Sequence, residues 1–200
     1  SGNAMYTIYA WGTWKAAVLA AASFVSSVNI VSAVWINEFH YDNVGTDSGE
    51  FVEIAGVAGT DLSGWSLGLY NGEQANAGVV YNTVALSGVI DNQSNGYGVI
   101  AFNFAVNGLQ NGPRDGFALI NPLSTVVQFL SYEGAFVASD GPAQGMTSTD
   151  IGVSETSSTP VGYSLQLIGI GTTYSEFSWA GPAAASPGSL NVGQAFPSVI

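Results

Sequence analysis

Two hundred residues, 47% of them hydrophobic, can bury one sizeable core, and at roughly 100–200 residues per domain they predict a single folded unit. Two Lys and Arg against fourteen Asp and Glu give a net charge of −12 at pH 7. That balance excludes both the basic stripe that neutralises nucleic-acid phosphates and the cationic patch that draws a protein to anionic lipid.

The chain opens with Ser1-Gly2-Asn3-Ala4, which reads as an expression scar, so the native start is expected at Met5. Residues 5–33 have a signal-peptide layout. Lys15 precedes an apolar run from Ala16 to Val25, a more polar Ser26 to Asn29 follows, and Val31 and Ala33 are the small residues before an expected cut after Ala33. The competing readings are an uncleaved membrane anchor, which Ser26, Ser27 and Asn29 interrupt, and a buried helix. A retained segment would pack on the domain or on a second copy as a homodimer. A cleaved one places the protein outside the cell, secreted or on the cell surface.

From Val34 onward short apolar or alternating runs are broken by Gly, Asn, Asp and Pro, the signature of strands and turns. Strands are predicted at 34–40, 51–56, 65–71, 79–85, 97–104, 116–121, 125–132, 163–168 and 176–179, with no helix among them. Trp65, Leu67 and Leu69 alternate with Ser66, Gly68 and Tyr70, as in a strand with one covered face. Asp61 to Gly64, Asn95-Gly96, Asn111 to Pro113 and Asp115-Gly116 supply turn chemistry. About nine short strands so punctuated predict an all-β chain, a β-sandwich over 34–180. Glu133 to Gly162, rich in Ser, Thr, Gly and Asp, reads as a long loop that is functional or partly mobile. Residues 181–200, rich in Ala, Pro, Gly and Ser, read as a linker-like tail.

Zero cysteine removes disulfides, thiolate metal sites and thiol nucleophiles, and one histidine removes any His-pair metal site. The densest polar cluster is Glu38, Asp42, Asp47, Glu50 and Glu53, with His40 and Asn43. These are hard oxygen donors suited to Ca²⁺. The alternative is a solvated hairpin turn with Glu38 and Glu53 on exposed faces. Glu133, Asp140, Asp150 and Glu155 form a second candidate group in the long loop. Asp91 to Gly96 begins like a calcium loop but meets Phe102 where the closing carboxylate belongs, so it reads as a turn. Gly64-Trp-Ser-Leu-Gly68 matches a nucleophile-elbow string, yet Ser66 lies inside a strand with no helix after it. An enzymatic reading would be a metal-dependent hydrolase using Glu38, His40, Asp42 and Glu53. A carbohydrate-binding reading rests on aromatic content, with Trp65 and Trp179 expected in the core and Tyr70, Tyr81 and Tyr97 as an exposed patch for a polysaccharide.

Ile36 to Asn43, Gly45 to Asp47, Gly49 to Ile54 and Gly59 to Leu67, followed by Asp115 to Ile120, Val126 to Glu133, Tyr163 to Leu167 and Phe177 to Trp179, form an ordered series. The series resembles the lamin tail domain family, with its "INE" strand, "GEFVEI" strand and "DLSGW" turn. The closest likeness is to the copy at the amino end of secreted bacterial nucleases of the endonuclease/exonuclease/phosphatase superfamily. The resemblance implies an immunoglobulin-like sandwich acting as a non-catalytic accessory module that recognises or tethers a protein or cell-surface ligand. It carries over no catalytic residue. Family links to nucleic acid are opposed here by charge, since beyond the signal-like segment only Arg114 is cationic.

Overall fold

A computed structural model describes residues 34–73 and 77–198, so the scar and signal-like segment lie outside the described residues. The strands are β1 (Val34–His40), β2 (Phe51–Val57), β3 (Ser66–Asn71), β4 (Val79–Ala85), β5 (Tyr97–Asn103), β6 (Gly116–Ile120), β7 (Val126–Ser131), β8 (Thr149–Asp150), β9 (Tyr163–Ile170), β10 (Phe177–Ala184) and β11 (Gln194–Ala195). A short 3-10 turn at Tyr174–Glu176 is the one helical element among the described residues. Each predicted strand is present to within a few residues. The two-residue strands β8 and β11 are additions that are too short to show a period in sequence.

The strands form two sheets, one in the order β10-β9-β1-β2-β5 with β11 also on β9, the other in the order β4-β3-β6-β7-β8. Pairing is antiparallel except for β11 on β9 and β8 on β7. This is an all-β architecture consistent with a sandwich. Ile36, Phe39, Val52, Ile54, Leu67, Leu69, Phe117, Leu119 and Leu165 pack together in one core cluster fed by both sheets. A register shift between Ile36 and Glu38 disturbs the β1–β2 ladder, and the Ile36 N–H donates instead to Gln128 Oε1 at 2.8 Å. The bulge thus ties the first sheet to β7.

Both sheets are also covered on a second face. Tyr70, Ala118, Ile120 and Phe129 pack with Phe136, Ala138 and Ala143 from the long loop. Trp35, Ala55, Val99, Leu167 and Phe177 pack with Phe196 from the tail. Gly78 is pressed against the loop at Val137 and Ser139 with φ +77, so a side chain there would be both strained and obstructed. Two expectations change. Tyr70 is a fully buried core residue rather than part of an exposed patch, because the loop lies over its face of β3. Residues 181–198 are not an extended linker, since β10 runs to Ala184 and β11 joins β9. Phe196, 2% exposed, stacks on Tyr97 with ring centres 4.7 Å apart.

Phe196→Ala is expected to destabilise the domain by about 3 kcal/mol, the usual cost of emptying a buried aromatic site. Urea unfolding monitored by tryptophan fluorescence measures it. A loss under about 1 kcal/mol would mean that the tail does not hold the outer face.

Candidate functional site

The five acidic residues singled out in the sequence are all buried, but they divide among separate environments. Glu38 and Glu53 are cross-strand partners on β1 and β2, and residues 185–196 form a strap over them. Glu38 Oε1 accepts from Ser164 Oγ at 2.6 Å, Ser186 N at 2.8 Å and Gln166 Nε2 at 3.2 Å, and its Oε2 accepts from Ser186 Oγ at 3.0 Å. Glu53 accepts from Asn37 Nδ2 at 3.0 Å and from Gly188 N at 2.7 Å. Asn191 and Gln194 extend the network to Asn37 and the Leu167 carbonyl. The expectation that Glu38 and Glu53 face solvent is therefore corrected, because the strap supplies donors in place of water.

Glu50 lies elsewhere, accepting from Gly108 N at 2.8 Å and Leu109 N at 2.9 Å. Asp47 accepts from Asn43 N at 3.0 Å and Asn111 Nδ2 at 2.9 Å, closing the 41–49 turn with the help of positive φ at Gly45 and Gly49. Asp115 does the same work for Gly72 N and Gly112 N. Burial pushes Glu53 up to about 8, with the nearby Glu38 charge adding to it, and it raises Glu38 and Glu50 as well. Asp115 rises to about 6 through burial, opposed by its two N–H donors.

His40 is the hub of a second network. Its Nδ1 lies 2.9 Å from Glu155 Oε1 and its Nε2 lies 3.0 Å from Asn43 Oδ1. Asn43 is oriented by its backbone partners. Its Nδ2 donates to the Val44 and Thr46 carbonyls while Oδ1 accepts from Ser48 N. Glu155 Oε2 accepts from Tyr41 N at 2.7 Å and Asp42 N at 3.0 Å. Oxygens of Glu155 and Asn43 on both sides suit a ring that donates from both nitrogens, an imidazolium paired with Glu155. Burial lowers its proton affinity, but the bond and charge of Glu155, together with the contacts to Asn43 and Ser48, outweigh burial and the net shift is upward. This is the one ion pair among the described residues, and both its groups are buried. His40 is held as a structural cation rather than as a free base.

Beside it lies an open cavity of about 360 Å³ lined by Asp42, Asn111, Glu133, Glu155 and Thr156, among others. Tyr41 Oη donates to Glu133 Oε1 at 2.9 Å and stacks on Tyr132 at 3.9 Å. Asp42 is raised to about 6 by burial first, then by Asp47, Glu155 and Glu133. Among the described residues no three His, Asp or Glu side chains already converge as a metal-holding group. Of the second candidate group, Glu155 and Glu133 reach this cavity. Asp140 instead caps Val80 N at 2.7 Å, and Asp150 accepts from Gly152 N at 3.1 Å. Tyr81 and Tyr97 are half-buried, and the Tyr81 Oη accepts from Gln110 N.

Compared with models of protein families, with curated proteins and with solved structures, the chain has no significant match. The residues that sequence reading missed are Ser186, Gly188, Asn191 and Gln194. The tail's one signal was its pair of amide side chains, Asn191 and Gln194, among small residues.

Two outcomes follow from these environments. A carboxyl whose folded pKa is raised contributes stability below its unfolded pKa and loses it as pH rises through the folded value. For Glu53 that window runs from 4.5 to about 8, and for Asp42 and Asp115 from 3.8 to about 6. His40, also raised, acts in the same direction, whereas the lowered Asp61 and Glu176 act only at more acid pH. The melting temperature should therefore be higher at pH 5 than at pH 9, and a flat or rising profile over that range contradicts the assignment. In ¹H–¹⁵N spectra tuned to imidazole at pH 7, His40 should show two slowly exchanging ring N–H protons. A single N–H would mean a neutral ring.

Proposed function

We propose that the chain is a non-catalytic recognition or tethering module of the lamin-tail type, an immunoglobulin-like sandwich carried by an exported bacterial protein and accessory to an extracellular nuclease or phosphoesterase. What supports this reading is how the buried carboxylates are used. Glu38, Asp47, Glu50, Glu53, Asp115 and Glu155 each accept at least two N–H or O–H donors, most of them from loop or tail residues. Carboxylates so occupied fasten loops to sheets and are poorly placed to take a proton from a substrate. Glu38, His40, Asp42 and Glu53, the set a hydrolase would need, do not converge on one pocket. Glu38 and Glu53 lie under the tail strap, whereas Asp42 lines the cavity beside Glu133. The ordered motif series supplies the family likeness, and rigid sheets presenting loops are a common scaffold for binding a protein or polysaccharide at a cell surface.

The purified chain should give no turnover of DNA, RNA or a phosphodiester ester with Mg²⁺, Mn²⁺ or Ca²⁺. Metal-dependent turnover abolished by Glu53→Ala or His40→Ala would overturn the reading and make the acidic residues catalytic.

A further inference from the structure

Glu38 and Glu53 stand opposite each other on the β1–β2 ladder, and both are fully buried. Arg114, the one Lys or Arg of the described residues, lies beside Gly134 instead. Glu38 accepts from Ser164, from Gln166 and from both N and Oγ of Ser186. Glu53 is less well provided, with Asn37 Nδ2 and Gly188 N alone. Glu38 supplies the charge felt at Glu53. The strap over them, residues 185–196, carries no titratable side chain, nor does β10, and β5 and β9 carry only Tyr97 and Tyr163. The remaining group on β1 is His40, which Glu155 holds. On the 91–96 turn, whose Gln93 Nε2 donates to the Gly188 carbonyl at 3.1 Å, it is the exposed Asp91. Two adjoining buried anions without a counter-charge cost more than one, so the strap closes best over a protonated Glu53.

The same segment covers apolar surface. Its end, β11, lies parallel on β9, with Gly169 N and Gly171 N donating to the Gly193 and Ala195 carbonyls. Phe196 packs on Trp35, Tyr97 and Phe177. Trp35, which Phe196 helps to bury, is 2% exposed, and its indole N–H has no hydrogen-bond partner among the described residues. A buried donor left unpaired penalises the closed form and is hydrated when its cover lifts. We propose that residues 185–196 are a proton-controlled latch, closed over the outer face of the first sheet while Glu53 keeps its proton and released from that face, with the sandwich still folded, once Glu53 and Glu38 are both charged. Opening admits water to the two carboxylates and to Trp35, and it sheds one proton. Burial holds the closed-state Glu53 up to about 8, and exposure returns it toward its ordinary 4.5. A carboxyl raised in the closed form favours closure at low pH and loses that contribution as pH rises through its closed value, so each pH unit inside this window multiplies the open population about tenfold.

Amide hydrogen exchange of the intact chain, resolved by NMR and corrected for the intrinsic rise of exchange with pH, tests the latch at pH 5.5, 6.5 and 7.5. The amides of Ser186 and Gly188 in the strap, and of Gly169 and Gly171 that donate to it, should lose protection together, about tenfold per pH unit. They should stay about a hundredfold or more below Phe117 and Leu119 of β6 throughout, as an opening that leaves the core sheets intact requires. Glu53→Gln keeps an acceptor for the Gly188 N–H and cannot ionise, so its strap protection should change little over the same range. Wild-type strap protection that is flat with pH overturns the latch, and so does strap protection equal to that of β6, which would mean that the strap opens only when the whole domain unfolds. An undiminished pH dependence in Glu53→Gln overturns it too. Should that variant fail to fold, the contrast between strap and β6 amides in the wild type decides alone.

Discussion

The constraint on which the structure depends is the near-absence of cations in an acidic chain. A buried carboxylate usually finds a Lys or Arg. Among the described residues there is only Arg114, so the acids are satisfied by N–H and O–H donors instead. Where the acid is ionised such bonds are charge-assisted and stronger than neutral ones, and in either state they are directional. Each acid therefore fixes a particular piece of backbone: Glu50 the Gly108–Leu109 turn, Asp115 the Gly72 and Gly112 turns, Glu155 the Tyr41–Asp42 segment, and Glu38 with Glu53 the Ser186–Gly188 strap. Much of the irregular backbone is held to the sheets in this way.

The same arrangement explains the three-layered hydrophobic packing. A sheet that buries only one face leaves its other face to polar side chains. Here the long loop and the tail each bring aromatic or small apolar residues over an outer face, Phe136 and Ala143 on one sheet and Phe196 on the other. The polar staples locate these covers, and the apolar contacts fill the space beneath them. Glu38 and Glu53 share the outer face of their sheet with Trp35: Glu53 and Ala55 are two apart on β2, and the bulge between Ile36 and Glu38 returns Glu38, three residues after Trp35, to the same face.

The strands were legible because alternation and turn residues speak locally. β1 to β7, β9 and β10 begin within a residue or so of where the pattern of Val, Ile, Leu and aromatic residues places them. The covers were not legible, for a physical reason. Ser186, Pro187, Gly188 and Asn191 have the composition of a linker, and what makes them ordered is a set of partners more than a hundred residues away in sequence. Charge misled in the same manner. A glutamate on a strand reads as exposed, and only the strap donors make Glu38 and Glu53 buried. The acidic residues stand close together in sequence, but proximity does not reveal that Glu38 and Glu53 on β1 and β2 meet under the tail strap while Asp42, Asp47 and Glu50 in the intervening loop take other partners. His40 and Glu155, 115 positions apart, were singled out separately and never as a pair.

The most direct measurement is a ¹³C titration of the glutamate side-chain carboxyls in the intact chain. If Glu53 is held without a counter-charge beneath the tail, its carboxyl should titrate with a midpoint near 8, while the exposed Glu176 titrates below its ordinary value of 4.5. A Glu53 midpoint at or below 4.5 would contradict the account, since it would place that carboxylate in water or beside a cation and leave the strap without its anchor.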